Sequence, residues 1–276
     1  MDIKIIENSP VSLQFATKIA LPIANTLRRI MMTEVPSMAI EDVVIIENSS
    51  PMYDEVLAHR LGLVPLKTDL TNYVLHEECS CQSELGCANC RVVFTLDIES
   101  KESMRTVYSG DLISEDPIID VVSKKIPLTK LAPRQKVRLE AYARLGLGKE
   151  HAKWQPVSVS TYKNMSHLTI DRSLCNLCRN CVVKCVKKVF SINHNNLEIV
   201  NQKDCIFCME CENVCPVSDS DGNKAIKVQE IDVLLFIIES TGVLSSKDIF
   251  LEAINILIKK TEDFLNQLSS IEVTVE

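Results

Sequence analysis

Eight of the twelve cysteines in this chain fall into two runs that repeat one spacing. The first is Cys175-x2-Cys178-x2-Cys181-x3-Cys185. After a gap of 19 residues the second reads Cys205-x2-Cys208-x2-Cys211-x3-Cys215 and closes on Pro216. That is the spacing of bacterial-type iron–sulfur runs, in which three thiolates wrap one face of a cubane cluster and the fourth ligates the cluster of the other run. One cluster is therefore expected on Cys175, Cys178, Cys181 and Cys215, and a second on Cys205, Cys208, Cys211 and Cys185. Both are expected as [4Fe–4S], and loss of one iron would leave [3Fe–4S]. Paired CxxC units also serve zinc knuckles, but two copies of one iron–sulfur spacing favour iron.

A third group, Cys79-x-Cys81-x5-Cys87-x2-Cys90, lies in a polar stretch containing Gly86. Four thiolates so close together suit a closed, structural Zn²⁺ site. The competing reading is a loop of free or occasionally oxidised thiols. His76 is a bystander on this reading, because four cysteines already fill a zinc shell.

The elements that must position these groups are partly legible. Residues 2–6 and 11–15 alternate around Asn8-Ser9-Pro10, a hairpin signal. Ile23, Leu27, Ile30 and Met31 recur at helical spacing between Pro22 and Pro36. Arg28 and Arg29 lie off that apolar face, where solvation is the ordinary fate of an Arg pair. Residues 43–46 read as a buried strand, 91–98, 104–108 and 136–143 as further strands, and 117–128 as an irregular edge. Residues 145–156, with His151, Lys153 and Trp154, read as an ordered surface loop that docks a partner. No nucleophile or paired carboxylate accompanies His151, so no catalytic residue is expected. Each cysteine run should enter a short helix, and 189–192 and 197–200 should form a hairpin around His194-Asn195-Asn196. Asp219, Asp221 and Asn223 have the opening spacing of a calcium loop, but no Glu stands at its closing position. Residues 231–238 read as a strand, Gly242 as a turn, and Ser245-x-x-Asp248 as the capping box of a long helix over 246–268. That helix carries two apolar stripes, one on Ile249, Ala253, Ile256, Leu257 and Phe264, the other on Phe250, Ile254, Ile258, Leu265 and Leu268. Packing on one sheet needs a narrower apolar face than this, so a second partner should cover the rest.

Composition narrows the function classes. The chain of 276 residues is long enough for one or two domains plus a small module, and its apolar fraction of 46% supports packed cores. No apolar run is long enough to span a bilayer, and the N-terminus shows no secretory pattern. Clustered cysteines without such a pattern fit a reducing cytoplasm. A net charge of −7 and a sequence pI near 5.4 argue against a broad nucleic-acid surface. With 5% aromatics and Trp154 the single tryptophan, no stacking platform for single strands is expected.

Longer motifs carry a resemblance. Asn25-Thr26-Leu27-Arg28-Arg29-Ile30 and Ile40-Glu41-Asp42-Val43 resemble the α-type assembly subunits of multisubunit RNA polymerases. The stretch from Pro51 to Leu66 (PMYDEVLAHRLGLVPL), Gly146–Pro156 (GLGKEHAKWQP) and Phe236–Gly242 (FIIESTG) are similar to the archaeal and eukaryotic branch of that family. Within it, a ferredoxin-like insertion belongs to only some of the archaeal, D-type members. The resemblance runs from about residue 2 to 268. It implies a non-catalytic subunit that heterodimerises with subunit L, collects small subunits N and P and recruits the large catalytic subunits. It also implies that Arg28 and Arg29 contact a large subunit, and that Cys79, Cys81, Cys87 and Cys90 match a zinc loop of eukaryotic relatives.

The competing class is a ferredoxin-type electron-transfer subunit of a redox enzyme complex. Against it, the chain has no GxGxxG fingerprint, and residues 171–215 hold six Lys/Arg and five Asp/Glu where soluble ferredoxins are commonly acidic. The expected architecture is α+β. Residues 1–42 and 225–276 would form a discontinuous dimerisation domain, 43–167 an inserted mostly-β domain with the four-cysteine loop, and 168–224 the ferredoxin-like module.

Overall fold

The computed structural model describes residues 3–81, 83, 86–218, 222 and 224–270. Asp2 of the first hairpin and the calcium-like trio Asp219, Asp221 and Asn223 lie outside the described residues. In chain order the elements are β1 (Ile3–Asn8), β2 (Ser12–Thr17), α1 (Leu21–Thr33), β3 (Ser37–Asn48), α2 (Asp54–Gly62), β4 (Arg91–Glu99), β5 (Arg105–Tyr108), β6 (Ile113–Ser114), β7 (Pro127–Leu131), β8 (Lys136–Gly146) and β9 (Val157–Ile170). There follow α3 (Asn180–Lys184), β10 (Phe190–Asn193), β11 (Asn196–Ile199), α4 (Glu210–Asn213), β12 (Ile226–Ser240) and α5 (Ser246–Ser270). This is an α+β chain. The strand orders are β1-β2-β12-β9, β3-β8-β4-β6, β5-β7 and β10-β11.

The chain divides into two compact units. One comprises Met1–Lys4, Phe15–Ala20 and Tyr162–Phe236, the other Ile5–Gln14, Leu21–Thr161 and Ile237–Glu276. The larger unit is built on the antiparallel β3-β8-β4 sheet. Alternation along β4 and β8 turns Phe94, Leu96, Leu139 and Ala141 to one face, where Leu57 and Leu61 of α2 pack with them. Helix α2 has acids in its first turn (Asp54, Glu55) and bases in its last (His59, Arg60), which suits the helix dipole. Sequence periodicity passed over both α2 and β9, because neither carries a long run of one period.

Two sequence expectations need correction. Residues 43–46 are part of a longer strand whose buried end is 37–40, and Val44 and Ile46 are about half exposed. Ile23 is exposed, and the buried face of α1 is Ala24, Leu27, Ile30 and Met31. The 145–156 stretch is exposed over 149–152, as a surface loop should be, and its two ends are anchored in the core. Trp154 is buried, and its indole Nε1 donates to the Arg144 carbonyl at 3.3 Å. Ser37 Oγ donates to the Trp154 carbonyl at 2.7 Å, and Lys149 N to that of Thr33 at 2.9 Å. His151 Nδ1 accepts from Lys153 N at 3.1 Å, so its ring caps a turn. Both glycines in this stretch are required by close approach: a Cβ on Gly146 would overlap the Trp154 ring, and one on Gly148 would overlap the Met32 carbonyl.

Lys153 pairs with Glu41, donates to the Ile40 carbonyl at 3.0 Å and lies 4.4 Å from the Trp154 ring centroid. Arg144 reaches the same Glu41 carboxylate at 3.0 Å. Burial pushes the Glu41 carboxyl up, but hydrogen bonds and charge from Lys153 and Arg144 outweigh it and hold the group below its ordinary value.

Helix α5 begins as expected, with Ser245 Oγ accepting from Asp248 N at 3.1 Å. It packs on α1, and Lys260 reaches Glu34 at 2.6 Å. Only Ser246, Ile249 and Ala253 of α5 are buried, whereas Ile258, Phe264, Leu265 and Leu268 are about half exposed or more. Among the described residues, no helix is long and apolar enough to cross a membrane.

Two outcomes test this core. Gly146→Ala should displace Trp154, destabilise the larger unit by about 1–3 kcal/mol and shift native tryptophan emission to longer wavelength; an unchanged urea midpoint and spectrum would refute the packing. Glu41 has a depressed pKa, so its stabilisation is present above the unfolded carboxyl value and is lost as pH falls through the folded one. Glu41→Gln should therefore cost about 1–2 kcal/mol near neutrality and flatten the acid limb of stability below about pH 4.3. An acid limb as steep as that of the unaltered chain would contradict it.

Candidate metal centres

The smaller unit brings the two cysteine runs together. Each follows the same path: Leu177 and Arg179 in the first run, and Phe207 and Met209 in the second, hold φ between 55° and 67°. Non-glycine residues in this region cost roughly 1–3 kcal/mol each and persist where surroundings over-determine them. The same pair recurs at matching positions, so thiol placement dictates the path. Arg179 and Met209 then precede α3 and α4, which carry Cys181 and Cys211 one residue from their starts.

The fourth cysteines cross. Cys175, Cys178, Cys181 and Cys215 line one cavity with Leu177, Ile192, Leu197 and Ile226. Cys205, Cys208, Cys211 and Cys185 line a second with Val189, Phe190, Ile206 and Val228. The β10–β11 hairpin, turned by His194 and Asn195 at positive φ, gives a wall to both cavities. Strand β12 contributes Ile226 to the first cavity and Val228 to the second, two residues apart and thus on one face. Burial pushes the Cys181 and Cys211 thiols up to about 11. Thiolates in such apolar surroundings need a bound cation, so four thiols per apolar cavity suit an iron–sulfur cluster as donor set and environment.

Sequence spacing missed the groups that hold the runs. Lys163 of β9 donates to the carbonyls of Lys203 (2.6 Å) and Cys205 (3.1 Å). Lys224 donates to those of Glu212 (2.7 Å) and Asn213 (3.1 Å). Glu212 Oε2 accepts from Val228 N at 3.0 Å. Lone lysines on distant segments leave no spacing signal.

In the larger unit the third group also converges. The Sγ atoms of Cys79, Cys81, Cys87 and Cys90 all lie within 4.8 Å of one another. The Cys79–Cys87, Cys81–Cys90 and Cys87–Cys90 separations are 3.7, 3.8 and 3.9 Å. Four thiolates about 2.3 Å from one tetrahedral ion stand ~3.8 Å apart, so the donor set has the size of such a site. Gly86 holds φ +77°, and a Cβ there would lie 3.0 Å from Cys90 Sγ. A hydrogen bond from Asn89 N brings the Cys87 thiol down to about 7, whereas burial pushes Cys90 up to about 12. His76 Nδ1 stands 3.7 Å from Cys90 Sγ, outside the four-sulfur group.

Arg28 and Arg29 sit off the buried face of α1. Arg28 is half-buried and bonded to Asn25 Oδ1 at 3.0–3.1 Å; Arg29 is exposed.

Comparison with known proteins accords with both parts. Residues 43–172 match the RNA polymerase Rpb3/RpoA insert domain, and residues 167–229 a 4Fe-4S dicluster domain. The chain is 40% identical to DNA-directed RNA polymerase subunit Rpo3 of Archaeoglobus fulgidus, over 98% of this chain and 99% of that one. It is 41% identical to the Rpo3 of Methanosphaera stadtmanae, over 88% of each. It is also 34% identical to DNA-directed RNA polymerase II subunit rpb3 of Dictyostelium discoideum, over 90% of this chain and 88% of that one. The chain therefore belongs to the Rpo3 family of DNA-directed RNA polymerase subunits and carries within it a 4Fe-4S dicluster domain.

Proposed function

We propose that this chain is an Rpo3 of the archaeal D type, a non-catalytic platform on which a cytoplasmic RNA polymerase assembles. What carries the reading is likeness over nearly the whole chain to polymerase subunits, together with an uncovered apolar surface on the long helix. In this reading α1 and α5 belong to a dimerisation domain (1–42 and 225–276) that pairs with subunit L. Residues 43–167 form the inserted domain and 168–224 the ferredoxin-like module. The heterodimer then takes up small subunits N and P and the large catalytic subunits, with Arg28 and Arg29 facing a large subunit. Neither direct nucleic-acid contact nor a membrane enters the reading.

The two crossed cavities would hold two [4Fe–4S] clusters, on Cys175, Cys178, Cys181 and Cys215 and on Cys205, Cys208, Cys211 and Cys185. Cys79, Cys81, Cys87 and Cys90 would hold a structural zinc ion. Bound there, the clusters supply cross-links and a redox-active centre, with a structural or redox-regulatory part in assembly. The electron-transfer alternative leaves the polymerase likeness outside the module unused.

Metal content tests the sites. Protein prepared anaerobically from its own cells should contain about eight iron and one zinc per chain. Near-zero iron would overturn the cluster assignment, and zinc that survives Cys87→Ser with Cys90→Ser would overturn the zinc site. The platform is tested on α5. Ile258 and Leu265 are exposed in the chain alone, so Ile258→Asp with Leu265→Asp should spare its fold. In a heterodimer the same changes bury unpaired charge, costing several kcal/mol and abolishing co-purification of subunit L. Undiminished subunit L with that double variant would place the interface elsewhere.

A further inference from the structure

The two cysteine cavities are built alike, and half-buried charges stand near both: Lys224 donates to the Glu212 and Asn213 carbonyls ahead of Cys215, and Glu212 accepts from Val228 N. Each has one cationic residue on its wall, Arg179 for the first and Lys187 for the second, and both are exposed. Exposed charges are screened by water and salt. The second cavity has an additional neighbour. Lys163 comes from β9, is half-buried, and lies against the Cys205 carbonyl at 3.1 Å and the Lys203 carbonyl at 2.6 Å. Asp204, whose charge also acts on Lys163, is exposed and therefore screened by water. The main chain that delivers the first thiol of the second run is thus pinned by an ammonium group from another strand.

We propose that Lys163 is a positioning residue for the second metal centre. It fixes the entry of the second run and sets a partly desolvated positive charge beside that centre, which raises the reduction potential of that cluster above what it would be without the charge. The proposal rests on the iron–sulfur reading above. Reduction adds negative charge to a cluster, and a fixed cation in a medium of low dielectric stabilises the reduced form. The cluster on Cys205, Cys208, Cys211 and Cys185 is then more easily reduced than it would be without Lys163.

The test is a reductive titration of the anaerobically prepared full chain with dithionite, followed by electron paramagnetic resonance, with iron content measured in parallel. The Cys205→Ser variant identifies which signal belongs to the second site. Lys163→Gln keeps a hydrogen-bond donor but loses the charge; Lys163→Arg keeps both. In Lys163→Gln the second-site reduction equilibrium should fall about tenfold, a drop of ~59 mV for a one-electron couple, with the first site unmoved. Lys163→Arg should restore it. Two clusters whose potentials are unchanged in Lys163→Gln, or shift equally, would overturn the proposal and leave the iron–sulfur reading standing. Should Lys163→Gln lose second-site iron, recovery of that iron and its potential in Lys163→Arg supports the proposal, and failure to recover overturns it. Near-zero iron in the unaltered chain would instead remove the iron–sulfur reading itself.

Discussion

The crossing of the fourth cysteines is the constraint on which the smaller unit depends. Cys215 completes the cavity begun by the first run, and Cys185 completes the one begun by the second. Neither donor set closes without the other run, so the two centres and the hairpin between them form one cooperative object. Core residues agree with this: Leu168, Val189, Phe190, Leu197, Ile226 and Val228 make a small apolar cluster in which Cys181 and Cys211 are themselves members. A module with so little apolar mass would take much of its folding energy from metal bound there, as other small metallo-domains do.

Legibility followed chemistry more closely than geometry. Thiol spacing grouped the same cysteines that the two cavities and the four-sulfur cluster bring together, because metal ligation restricts separation along the chain tightly. Local turn and cap chemistry was legible too, as in the His194-Asn195 turn and Ser245 before α5. Strand extent was less so. The run 43–46 looks uniformly buried, yet it alternates between a packed and an exposed face once β8 pairs beside it. Strand β9 breaks its alternation with polar and charged residues, and one of these, Lys163, does its work at a site about forty residues away in sequence.

The polymerase-like motifs have physical reasons in the larger unit that a comparison of sequences does not supply. Glycine at 146 and 148 is what lets Trp154 and the Met32 carbonyl approach the backbone. Glu41, Arg144 and Lys153 form a partly buried charge cluster around the same tryptophan. A stretch that resembles a docking loop is thus also a clasp between the start of β3 and the end of β8, held through Lys153, Trp154 and the Lys149 amide.

The pairing of α1 with α5 also has a temporal side. About 210 residues lie between Thr33 and Ser246, and translation adds roughly 5–20 residues per second. The apolar face of α1, with Leu27, Ile30 and Met31, therefore waits on the order of 10–40 s for its intramolecular partner to leave the ribosome. During that interval the nascent chain presents a hydrophobic helix without its cover, a natural recruiting point for ribosome-associated chaperones. The discontinuity of the larger unit thereby makes its first helix among the last to find its place.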